Sequence, residues 1–204
     1  MIASGGTGPA RSAASAPRLP RAARREQILA AATEAFARGG FAGTGLEAIA
    51  TEAGVTRVIL YRHFDSKADL YRAVLARARD NLGAAVGPPG YTGQIVDALL
   101  AGAARDPAGF RLLFQHAARE PEFRAEADRH REEMYAAAHQ QLAPMIPDPG
   151  WLRWAAHLTP AATITAIAAW LDAGQPEPDR AAERIRHALV GIVDAARRGP
   201  GRTG

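Results

Sequence analysis

Apolar residues recur every three or four positions along most of the chain, and no segment alternates apolar and polar residues as a strand would. Ile28, Ala32 and Phe36 form one such stripe, which predicts a first helix from about Pro20 to Arg38 that ends at the glycines that follow. The pattern therefore predicts an all-α protein. The later predicted helices cover 44–54, 56–63, 67–82, a segment around 95–100, 107–120, 121–142, 151–171 and 179–197.

The most informative stretch, Thr44 to Lys67, reads as two short helices joined by a tight turn. Thr44 and Glu47 have the spacing of a capping box, which predicts the start of the first of these helices. Gly54 can take the left-handed backbone that ends it, and Thr56 can cap the second helix. This is the pattern of a helix-turn-helix, whose second helix enters the major groove of DNA.

The run A-G-V-T-x-x-x-L-Y-x-H-F-x-S-K-x-x-L, from Ala53 to Leu70, resembles the DNA-binding domain of TetR-family transcriptional regulators. The resemblance spans roughly residues 24–75. It implies a dimeric, helical regulator that binds double-stranded operator DNA and a small-molecule effector, most simply a repressor released by that effector. The chain departs from the family at Val58 and Ile59, where a small residue and then Ser or Thr are frequent. Apolar contact replaces a hydroxyl at that point.

The resemblance makes Tyr61, His63 and Lys67 phosphate contacts, although a histidine packed between helices remains an alternative for His63. Arg57 is the best candidate to read a base edge, because arginine pairs with guanine O6 and N7 through two hydrogen bonds. Arg62 suits either task. The predicted DNA-binding residues are Thr44, Thr56, Arg57, Val58, Ile59, Tyr61, Arg62, His63 and Lys67.

Charge and small residues divide the chain. Residues 1–87 hold 12 Lys/Arg and 7 Asp/Glu, whereas residues 88–204 hold 13 and 14, so the positive charge lies with the predicted DNA-binding part. We predict a disordered basic tail (1–20), with DNA contact as the alternative, a helix-turn-helix domain with the fourth helix (21–82), and an effector and dimerisation domain (91–198). The fourth helix would link the two domains.

The second domain offers weaker signals. The candidate ligand-binding residues are Phe110, Phe114, His116, Tyr135, Trp154 and His157, and the Phe, Tyr and Trp members are also expected in the core together with Trp151. The eighth helix is apolar on nearly all sides, and the ninth carries a regular stripe that includes Ile192 and Val193. Two such helices predict a homodimer interface, with packing inside one subunit as the alternative.

No nucleophile–base arrangement, phosphate-binding glycine loop or metal-ligand spacing is visible in the sequence. We therefore expect no enzymatic activity, no cofactor and no metal. The absence of cysteine and of a long apolar run favours a cytoplasmic protein without a membrane span. Two other hypotheses remain: a helical enzyme or ligand carrier with a vestigial helix-turn-helix, and an interaction module without a ligand.

Overall fold

A computed structural model describes residues 19–86 and 94–198, and in these ranges the chain is helical without strands, as predicted. Most of the predicted 1–20 tail and the Gly-Pro segment after the fourth helix lie outside the described residues. The α-helices are α1 Arg21–Gly43, α2 Leu46–Glu52, α3 Arg57–Tyr61, α4 Lys67–Val86, α5 Ile95–Arg105, α6 Pro107–Arg111, α7 Arg124–Leu142, α8 Pro149–Asp172 and α9 Pro178–Arg197.

Helix α1 ends in a kink, and the kink overturns the predicted capping box. Gly40 has φ of 67°, a left-handed conformation that favours glycine, and the helix then continues to Gly43. The kink brings Thr44 back against α1, where its hydroxyl donates to the Gly40 and Ala35 carbonyls. Gly45 precedes α2 and makes no side-chain capping bond. The capping box of Thr44 and Glu47 was therefore wrong.

The turn between α2 and α3 forms as predicted. Gly54 has φ of 62°, and the Thr56 hydroxyl accepts a hydrogen bond from the Ile59 amide to cap α3. Leu60, on the inner face of α3, is fully buried, and Phe64, which follows the helix, is 5% exposed. These two side chains fix α3 on the surface of the domain.

The second half of the chain shows capped helix starts and one irregular segment. Asp106 accepts a hydrogen bond from the Gly109 amide, and Asp148 accepts bonds from two amides at the start of α8. The predicted sixth helix is not one regular helix: after α6, residues 112–116 form a π turn and residues 117–119 a 3-10 turn. Pro160 lies inside α8. Helix α4 extends four residues past its predicted end at Leu82.

Two main hydrophobic clusters organise the fold, and the first crosses the predicted domain boundary. It joins α1, α2, α3 and the first half of α4, but Leu112, Ala117 and Phe123 from the second half of the chain belong to it as well. The second cluster joins the end of α4 with α5, α6, α8 and α9. The segment 112–123 therefore packs directly against the helix-turn-helix domain.

One face of α8 and α9 is uncovered in the single subunit. Trp151, Trp154 and Leu158 are 42%, 40% and 36% exposed, and Val190 on α9 is 54% exposed. The prediction that both tryptophans lie in the core was wrong. Ile192 and Val193 instead pack against hydrophobic clusters of their own subunit.

Candidate nucleic-acid interface and interior cavity

Helix α3 presents cationic and apolar side chains outward. Arg57, Val58, Tyr61 and Arg62 are exposed, and Val58 is 62% exposed although Leu60 on the same helix is fully buried. Ile59 is half-buried and packs against the first cluster. An exposed valine beside arginines suits a groove in which thymine methyl groups and guanine edges are both presented.

Arg57 is held by its own helix. Its guanidinium donates to the Tyr61 hydroxyl at 3.4 Å and lies 5.8 Å from the centre of the Tyr61 ring. The hydrogen bond to Tyr61 raises the pKa of Arg57, so the group is charged throughout the physiological range. This contact orients the guanidinium. Because the Arg57 side chain is already restricted, it would lose less conformational entropy on binding.

His63 lies beneath a group of arginines that the sequence analysis overlooked. Its Nδ1 is buried without a hydrogen-bond partner, and burial lowers its pKa, with further lowering by Arg21, Arg25 and Arg24. These three arginines begin α1, and the Arg25 guanidinium lies 5.1 Å from the Phe64 ring centre. The short sequence R-A-A-R-R at this helix start was the signal that they flank α3.

Thr44 and Lys67 are less available than the sequence suggested. Thr44 is 6% exposed, and its hydroxyl hydrogen is used within the fold. Lys67 is half-buried at the start of α4, where its Nζ donates to the Ala42 carbonyl at 3.4 Å and lies 4.5 Å from the Phe41 ring centre. Its ammonium group has donors to spare for a phosphate.

A cavity of about 270 Å³ lies between α4, α5, the π turn and α7. Its lining is apolar apart from Arg79 on α4 and His130 on α7, and none of the described lining residues is acidic. Neither of these two residues was predicted from the sequence. Burial lowers the pKa of His130, a contact with Glu133 at 3.6 Å opposes that effect, and the positive charge of Arg79 reinforces it.

The predicted ligand-binding residues do not form one site. Phe114 lines the cavity, and the buried Phe110 packs behind it with ring centres 4.8 Å apart. Tyr135 and His157 stack on each other at 3.9 Å without lining the cavity, and Trp154 lies on the exposed face of α8. His116 ends the π turn, half-buried, and burial lowers its pKa.

The segment 112–123 joins the cavity to the helix-turn-helix domain. Leu113 and Phe114 line the cavity, whereas Phe123 packs against Tyr71 and Phe41 with ring centres 4.5 and 4.9 Å apart. Glu120 accepts a hydrogen bond from the Phe41 amide at 3.1 Å, directly after the Gly40 kink. Movement of this segment would therefore be felt where α1 meets α2.

Other kinds of site are not apparent in the part of the chain that the structure describes. It contains no cluster of three or more side chains suited to hold a metal ion. Its helices also lack the length and apolarity that a membrane crossing requires.

Known proteins resemble the helix-turn-helix part of this chain more than its second half. Residues 28–74 match the family model for bacterial regulatory proteins of the tetR family. The HTH-type transcriptional activator FasR of Mycolicibacterium smegmatis is 40% identical over 107 residues, which cover 48% of this chain and 49% of the relative. The chain thus spans about half the length of that curated relative, and about a quarter of several others.

Solved structures extend the likeness to the second half of the chain. A TetR-like regulator from a Rhodococcus species has a TM-score of 0.74 at 23% identity over 85% of this chain and 97% of the other. A TetR-family regulator from Streptomyces coelicolor has a TM-score of 0.62 at 26% identity, with coverage of 87% and 97%. Residues 28–74 thus match the TetR family of bacterial regulatory proteins, and the described helices share the fold of solved TetR-family regulators.

Proposed function

We propose that the protein is a DNA-binding transcriptional regulator that recognises its operator through α3. The observation that carries this proposal is the exposed face of α3, with Arg57, Val58 and Arg62 outward while Leu60 anchors the helix from below. A vestigial helix-turn-helix has no reason to keep an exposed valine between arginines. The arginines at the start of α1 add positive charge beside the same surface, as phosphate binding requires.

The regulator acts as a homodimer through the exposed face of α8 and α9. Trp151, Trp154, Leu158 and Val190 leave apolar surface uncovered in a single subunit. Pairing of this face with its copy would bury that surface and produce a four-helix interface. The interface would also fix the distance between two α3 helices, which must match one turn of DNA, about 34–36 Å.

The interior cavity is the effector site, and its occupation alters DNA binding. Helix α4 runs from the first cluster to the cavity wall, because Leu70 and Val74 lie in the cluster while Arg79, Leu82 and Gly83 line the cavity. The segment 112–123 makes a second connection. A ligand that favours a conformation with the wrong α3 spacing would release DNA by population shift.

Repression is the proposed default action, since a dimer bound over a promoter excludes polymerase from it. A reporter gene placed downstream of the operator distinguishes repression from activation. Its output should rise when the regulator is removed, and a fall would instead indicate activation, the role in the name of the Mycolicibacterium relative. Such a regulator works with the chromosome in the cytoplasm and needs no catalytic group or cofactor.

The experiment that tests the proposal is selection of fragments from the source genome by the full chain, followed by anisotropy titration of the selected fragments. We expect one or a few fragments with a near-palindromic footprint. The matched control is a variant that carries Asp in place of Val58 and Arg57, because two acidic side chains on α3 repel phosphate. Selection of the same fragments by that variant would show that α3 does not recognise the operator.

A further inference from the structure

The polar groups of the cavity are all of one kind. Arg79 and His130 are nitrogen bases, and the remaining lining, which includes Leu99, Phe114 and Met134, is apolar or glycine. A ligand that fills this cavity therefore meets hydrocarbon over most of its surface and nitrogen donors at one end. Neutral hydrocarbons would leave those donors without a new partner, and a cation would be repelled.

Neither nitrogen group has a short hydrogen bond to a carboxylate: Arg79 is exposed at the mouth of the cavity, and His130 is half-buried with Glu133 at 3.6 Å. Among the described residues, no carboxylate lies within ion-pair distance of the Arg79 guanidinium, although nine other arginines make such pairs. The Nδ1 of His130 is buried without a hydrogen-bond partner, and its contact with Glu133 is longer than a hydrogen bond. Buried polar atoms without partners are uncommon and call for an explanation, such as a missing ligand.

The size of the cavity limits the ligand. At about 30 Å³ per non-hydrogen atom, the share that water takes in its own liquid, a cavity of 270 Å³ holds about nine such atoms. An eight-carbon acid is close to that size. Two smaller cavities share Leu113 and His130 with this one, so a somewhat longer chain would have space to extend.

We propose that the effector is a small amphiphilic monocarboxylate whose acid group binds Arg79 and His130 while its apolar part lies against Leu99, Phe114 and Met134. This inference rests on the proposed effector role of the cavity and specifies the chemistry of the ligand. The acid group would form charge-assisted hydrogen bonds with both nitrogen groups, which are stronger than those of an alcohol.

The test is isothermal titration of the full chain with octanoate, 1-octanol and octylamine. We expect octanoate to bind with one site per subunit and about tenfold more tightly than 1-octanol, and octylamine not to bind. Arg79→Gln should weaken octanoate binding about tenfold, whereas Arg129→Gln, the same change at an exposed site outside the cavity, should leave it unchanged. Equal affinity for the acid and the alcohol, or no effect of Arg79→Gln, overturns the proposal.

A second variant tests the location. A Cβ placed on Gly83 meets no atom within 4 Å, so this position of the cavity wall accepts a side chain, and Gly83→Leu is designed to narrow the cavity. This variant should retain its melting temperature and lose octanoate binding. Unchanged binding with an intact fold would place the site elsewhere and contradict the proposal. Operator titration is done separately, so that failure to bind DNA with intact octanoate binding refutes the regulator and not the ligand class.

Discussion

At the scale of single residues, Arg57 and the arginines of α1 have different places and should have different tasks. Arg57 is on the outward face of α3 and is oriented by Tyr61, whereas Arg21 begins α1 beside that helix. A side chain on a helix in the groove reaches bases, and one at its flank reaches the phosphate backbone. We therefore separate base reading by Arg57 from phosphate binding by Arg21.

Arg57→Ala should cost about 1–3 kcal/mol of binding free energy and relax base preference at one position in each half-site. Arg21→Ala should weaken binding to all sequences alike, because a phosphate contact carries no sequence information. Selection from a pool with randomised half-sites measures both effects, and Arg129→Ala serves as the control away from α3. If the Arg57 variant keeps its base preference, Val58 or Arg62 reads the base instead.

Single residues also show where sequence reasoning stops. Gly54 and Thr56 could be predicted because a turn and a cap depend on nearby residues alone. Thr44 could not, because its hydroxyl is taken by α1 carbonyls that the Gly40 kink brings within reach. Arg79 and His130 carry no motif, and only the packing of α4 against α7 places both at one cavity.

Among the helices and turns, the segment 112–123 is a second connection, besides α4, between the cavity and the helix-turn-helix domain. Helical periodicity predicted a sixth helix through Phe114, but periodicity does not distinguish an α-turn from the π turn found there. A π turn is rarer than an α-helical turn and is frequent at functional sites. Because this segment contributes to both the cavity and the first cluster, we propose that it transmits effector binding together with α4.

Glu120 provides a test of this connection. Glu120→Ala leaves the Phe41 amide without its acceptor and should lower the free energy of unfolding by about 1–3 kcal/mol. Glu120→Gln keeps an oxygen that can accept the same bond, so it should lose clearly less. Thermal and urea denaturation measure the difference. If both variants lose the same free energy of unfolding, the hydrogen bond from the Phe41 amide to Glu120 does not stabilise the contact between the segment 112–123 and the end of α1.

At the scale of the whole molecule, the fold could be predicted in outline because long amphipathic stripes and a specific helix-turn-helix pattern both point to it. The exposed apolar surface of α8 and α9 could not be predicted residue by residue. Ile192 and Val193 fit an interface stripe in the sequence, and in the single subunit they are half-buried against its own hydrophobic clusters. The apolar side chains left exposed are on the neighbouring face, with Leu158 and Val190.

Replacing both Leu158 and Val190 with Asp should therefore produce monomers that keep their helicity, because charge at these exposed positions disturbs only the pairing of two copies. Sedimentation and circular dichroism measure mass and helicity. Met145→Asp, at a position 41% exposed outside both helices, is the matched control and should remain dimeric. A stable dimer of the double variant would place the interface elsewhere.

A dimer of this chain should bind duplex DNA through α3 and the arginines beside it. The most direct measurement is the affinity for the selected operator, by fluorescence anisotropy, at several salt concentrations. If a dimer neutralises about six phosphates, log K should fall with log salt at a slope of about −5. Affinity that does not change with salt, or no binding to any genomic fragment, would show that the chain does not bind operator DNA through these cationic residues.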